Sequence, residues 1–162
     1  MTEKHVRSLS IHEWHKLGQE GSMLPVTICL EGDSMRPLIR RGRDPVTILP
    51  LNRPLKIGDI VLFQGGPERY VVHRVYRMRD GWVQTLGDNC WNPDAWMPLE
   101  QVWGLVIRMQ RDGRSYQLDN RLSRLWGSGW MACHPLWKVY KKLRSLAGRC
   151  YRKVFSKKPE RR

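Results

Sequence analysis

The chain has 162 residues, with 29 Lys or Arg against 15 Asp or Glu and a formal net charge of +14. That length supplies one core and a small appendage, which excludes two full domains. From Arg121 onward 13 basic residues face one acid, Glu160, so the first 120 residues are almost neutral, and this argues against a surface built to wrap nucleic acid.

Residues 1–21 carry charges where a secretory signal would have its apolar stretch, and no run approaches the roughly 20 apolar residues of a membrane span. The expected location is therefore cytoplasmic or peripheral at the inner membrane leaflet. Val6, Leu9, Trp14 and Leu17 fall at helical spacing before Gly18 and Gly21, which predicts a short N-terminal helix that serves packing. From 22 to 120 the character changes to short β-branched runs broken by Gly, Pro and Asp: PVTICL, PVTIL, GDIVLF, YVVHRVY, WVQTL, VWGLVIRM and SYQL. This predicts a mainly β domain, with Asp80-Gly81 and Asp112-Gly113 as tight hairpin turns.

Beyond Asn120 the alternation stops. Leu136, Val139, Tyr140, Leu143, Leu146, Ala147, Cys150, Tyr151 and Val154 recur every three or four residues, opposite Lys138, Lys141, Lys142, Arg144, Arg149, Arg152 and Lys153. Residues 121–162 are thus a basic amphipathic helical tail, with Trp126, Trp130 and Trp137 at its start and a disordered SKKPERR end. Two partners suit such a helix: an anionic membrane surface, or the β body itself, with the basic face in solvent. Cys29, Cys90, Cys133 and Cys150 form no Cys-x-x-Cys pair and no metal-ligand spacing, so neither a metal nor another cofactor is expected and the thiols read as reduced.

Three segments carry chemistry. Glu31-Gly32-Asp33-Ser34-Met35-Arg36-Pro37 puts a Ser hydroxyl in a turn after an apolar strand, where backbone N–H groups can face a substrate carbonyl. Tyr70-Val71-Val72-His73-Arg74-Val75-Tyr76 alternates so that Val71, His73 and Val75 share one strand face, and an imidazole on a rigid strand suits a general base. Thr85-Leu86-Gly87-Asp88-Asn89-Cys90-Trp91-Asn92-Pro93-Asp94 offers two carboxylates, Asp88 and Asp94, either of which could orient that imidazole.

The order of G-D-S-M-x-P, G-D-I-V, V-H-R-V and G-D-N-x-x-x-x-D resembles the type I signal peptidases of the archaeal, endoplasmic-reticulum and sporulation-associated kind, over about Leu30 to Val106. Those enzymes use Ser and His where ordinary bacterial signal peptidases and LexA-like repressors use Ser and Lys. The resemblance implies a LexA/signal peptidase-like β fold, Ser34 as nucleophile, His73 as base, and Asp94 as orienting acid, with Asp88 supporting or alternative. It implies a protein or peptide precursor as substrate, bound as an added strand. Two features depart from the pattern: no apolar anchor precedes Ser34, and Leu86 and Cys90 stand where Lys and Asn are commoner. A second reading is a non-catalytic module of the same fold whose basic tail contacts a membrane surface or nucleic acid. A self-cleaving LexA-like regulator fits less well, because the Lys and a DNA-reading domain are missing.

Overall fold

The structure, a computed structural model, describes residues 10–67 and 69–155. Val6 and Leu9 of the predicted helix and the SKKPERR end lie outside the described residues. So do the side chains of Trp137, Leu146, Ala147, Cys150, Tyr151 and Val154, and of the basic face apart from Arg144.

Helix α1 (Ile11–Gln19) starts at Ser10, whose hydroxyl accepts from the Glu13 N–H while the Glu13 carboxylate accepts from the Ser10 N–H. This reciprocal cap satisfies two N-terminal donors and is worth about 1 kcal/mol. Trp14 is buried beneath the helix and donates its indole N–H to the Leu24 carbonyl at 2.7 Å, so α1 is a packing element.

Eight strands follow: β1 (Val26–Ile28), β2 (Val46–Pro50), β3 (Ile60–Gly66), β4 (Arg69–Arg79), β5 (Trp82–Leu86), β6 (Met97–Pro98), β7 (Val102–Arg111) and β8 (Arg114–Gln117). All pair antiparallel in the order β1-β2-β7-β3-β4-β5-β6, with β8 folded back on β7. Seven of the eight correspond to the runs predicted from sequence; β6 is two residues beside Pro98, too short to leave a periodic trace. The PVTICL run pairs only through Ile28, and the chain then leaves the sheet toward Ser34. Both Asp-Gly hairpins have positive φ at each central residue, 47° and 79° at Asp80-Gly81 and 50° and 76° at Asp112-Gly113, as type I′ turns require.

Both faces of the sheet are covered. Ile60, Leu62, Val72, Ile48, Val106 and Trp103 join Trp14, Met35 and Ile39 in one apolar cluster. Val61, Phe63, Val75, Val83, Val102 and Leu105 form the other, so successive residues of β3 serve opposite cores. Helix α2 (Arg121–Phe155) closes the chain and begins at Arg121, fifteen residues before the periodic run that starts at Leu136.

Candidate active site

Three elements meet at the N-terminal half of β4. The turn bearing Ser34 is fixed by the apolar side chains that follow it, since Met35 and Ile39 are fully buried in the first core. Arg111, at the end of β7, donates to the Leu38 carbonyl and to the buried Asp44 carboxylate, and Arg40 holds the same carboxylate at 2.8 Å. Asn89 completes the clamp: its N–H donates to the Ser34 carbonyl at 2.7 Å and its side-chain amide to the Asp33 carbonyl at 3.1 Å. The Gly-Asp-Asn segment is therefore bolted directly to the Ser34 turn.

His73 comes from β4, where it pairs with Val61 and points to the side of Val71 and Val75, with its ring edge against Phe63. Its Nδ1 lies 2.7 Å from Asp94 Oδ2. That carboxylate also accepts from Thr85 Oγ1 at 2.6 Å, while Gln84 Nε2 donates to the Asp94 carbonyl at 3.0 Å. Burial disfavours the imidazolium, but the Asp94 hydrogen bond, helped by the neighbouring Cys90, outweighs it and raises the His73 pKa to about 9. Burial likewise works against the Asp94 carboxylate, yet the His73 and Thr85 hydrogen bonds leave its pKa below the ordinary value.

Ser34, His73, Cys90 and Asp94 line one open cleft of about 440 Å³, together with Glu31 and Arg69. Among the described residues the Ser34 N–H meets no protein acceptor, and Ser34 Oγ makes no hydrogen bond to His73. The approach of the two segments is nonetheless close. A Cβ placed on Gly87 would stand 2.8 Å from the Ser34 carbonyl oxygen, 2.9 Å from His73 Nε2 and 2.6 Å from Cys90 Sγ, so only glycine fits there. A second cleft, about 730 Å³, adjoins the first and shares Arg69, Val71 and Asp94 with it; Phe63, Trp96 and Met97 form its apolar wall.

Asp88 lies elsewhere. It is buried and forms a two-pronged pair with the fully buried Arg74, at 2.9 Å from Nε and 2.8 Å from Nη2, and Arg74 Nη1 donates to the Gly58 carbonyl at 2.9 Å. Of the two carboxylates left open by the sequence, Asp94 reaches His73, and Asp88 supports the loop from the other face of β4. Arg74→Met leaves the Asp88 charge unpaired in the interior, so it is expected to cost about 3–5 kcal/mol in denaturant unfolding, with Arg74→Met/Asp88→Leu recovering part of the loss.

Three residues that the sequence did not single out support the site: Thr85, Gln84 and Asn89. Cys90, seen there only as a departure from the family pattern, sits with His73 Nε2. Alkylation of Cys90 by iodoacetamide would place its adduct against that nitrogen, so any reaction that uses His73 as a base is expected to slow about 10²-fold. A Cys90→Ala variant should resist the reagent even as the exposed Cys29 and Cys133 react, which peptide mapping beside an activity assay would check. No protein-family model matches the chain, and a search of curated proteins also returns no match.

Proposed function

We propose that the chain is a serine endopeptidase resembling the Ser/His type I signal peptidases, with the LexA/signal peptidase-like form of β fold, and that Ser34, His73 and Asp94 are its catalytic triad. The observation that carries this reading is the 2.7 Å His73–Asp94 hydrogen bond at the floor of the cleft that Ser34 lines. Asp94 accepts from Nδ1–H and so leaves the Nε2 lone pair to take the Ser34 proton. Oγ attacks the peptide carbonyl carbon, the free Ser34 N–H stabilises the developing oxyanion, and Nε2–H returns the proton to the departing amine. Water, activated by the same nitrogen, then hydrolyses the acyl ester. The Ser34–His73 bond forms as peptide fills the cleft.

The sheet supports a strand-like substrate. β5 pairs with β4 only between Arg74 and Arg79, so Arg69–His73 present a backbone edge unpaired by any described strand, and that edge borders the cleft. A precursor polypeptide added there would place its scissile bond at Ser34 and a side chain against the apolar wall of the 730 Å³ cleft. Incubating the purified chain with a mixed peptide library should yield new termini with an apolar preference on one side of the cut. An equal pattern from Ser34→Ala would refute the reading.

The missing Ser34–His73 hydrogen bond favours the second reading, a binding module that keeps the fold without the chemistry. That module would act through its basic tail, on a membrane surface or nucleic acid, and Ser34→Ala would leave it fully functional.

A further inference from the structure

The first turns of α2 are docked on the body. Arg124 Nη1 donates to the Asp119 carbonyl at 2.7 Å, Gly127 lies so close to the Arg74 guanidinium that a Cβ would meet Nη1 at 2.4 Å, and Trp130 Nε1 donates to the Asp88 carbonyl at 2.9 Å. The opposite side is apolar and exposed. Leu122, Leu125, Trp126, Leu136, Val139, Tyr140 and Leu143 are all exposed, the leucines at 76%, 69%, 73% and 60%. At about 100° per residue these positions gather on one side of the helix, in a stripe about 30 Å long. No helix among the described residues is long and apolar enough to cross a membrane.

Charge decides what covers the stripe. Between Arg121 and Phe155 the sequence has nine Lys or Arg and no acid. A second copy packed on the stripe would double the helix charge from +9 to +18 with no acid to offset it, whereas phosphate headgroups neutralise it. Trp126 and Tyr140 add amphipathic rings suited to the headgroup boundary.

We propose that α2 lies on an anionic lipid surface through the face running from Leu122 to Leu143. The Trp130–Asp88 bond and the Asp88–Arg74 pair tie this helix to the segment that carries Cys90 and Asp94, so the docked helix holds the cleft at the lipid boundary. The lipid contact does not depend on peptidase activity, and Ser34→Ala should bind vesicles as the unaltered chain does.

The test is flotation of the full chain with vesicles of phosphatidylcholine alone or with about one-third phosphatidylglycerol. Binding is expected to be at least tenfold tighter on the anionic vesicles and to weaken between about 0.1 and 0.5 M NaCl. Leu136→Glu and, independently, Leu125→Glu should each lower it at least tenfold with unchanged circular dichroism. Equal binding to neutral vesicles, or no effect of either substitution, would overturn the proposal. So would self-association in sedimentation velocity that both substitutions abolish, since it would make a second copy the occupant.

Discussion

Ser34→Ala is expected to reduce peptide hydrolysis about 10⁴- to 10⁶-fold while leaving the fold intact. The side chain is half-buried, its Oγ makes no hydrogen bond to His73, and the turn is held by Met35, Ile39, Arg111 and Asn89, none of which uses that oxygen. Loss of the hydroxyl thus removes the proposed nucleophile without unfastening the loop. Thermal unfolding within about 1 °C of the unaltered protein, beside a lost rate, would separate chemistry from stability.

The second large effect belongs to Asp94. In Asp94→Asn the amide offers its NH₂ to Nδ1, which forces the proton onto Nε2 and leaves no lone pair to accept from Ser34; kcat is expected to fall about 10⁴-fold, the magnitude known for this change in the standard Ser-His-Asp triad. The pH profile should shift as well. A base must be neutral, so with a His73 pKa of about 9 the rate rises with pH toward that value. Without the carboxylate the same rise should occur at lower pH, as the largest favourable influence on the imidazolium is gone. Stability moves in the opposite sense: the His73–Asp94 pair stabilises fully below the ordinary histidine value of about 6.5, and that contribution fades as pH climbs through about 9. Rate measurements from pH 6 to about 10 on both proteins would check the two shifts, and an unchanged profile in Asp94→Asn would mean that Asp94 does not set the titration of His73.

Much of this was readable from residue order. Alternation in Val71-Val72-His73-Arg74-Val75 placed His73 correctly among valines, and the Asp-Gly pairs gave the hairpins because both positions need positive φ. Strand periodicity alone did not choose between Asp88 and Asp94, since both sit in a turn where it no longer tells a side chain's direction; the resemblance put Asp94 first, and the structure sets Asp94 beside His73. A clue was present in Arg74: an arginine facing inward from a strand requires a carboxylate, and Asp88 supplies it. The start of α2 at Arg121 agrees with the tail boundary read from the sequence, although Gly127 and Gly129 are poor helix formers in isolation. Gly127 is there because the Arg74 guanidinium leaves no room for a larger residue.

Cys90 makes one measurement decisive, because two nucleophiles lie near a single base. The purified chain would be reacted with an activated acyl ester, quenched in acid, digested and mapped by mass spectrometry. The acyl group is predicted on Ser34, as an oxygen ester, absent when His73 is replaced by Ala. Acylation confined to Cys90, as a thioester that hydroxylamine strips at neutral pH, or labelling of Ser34 that persists without His73, would contradict a Ser34–His73–Asp94 peptidase.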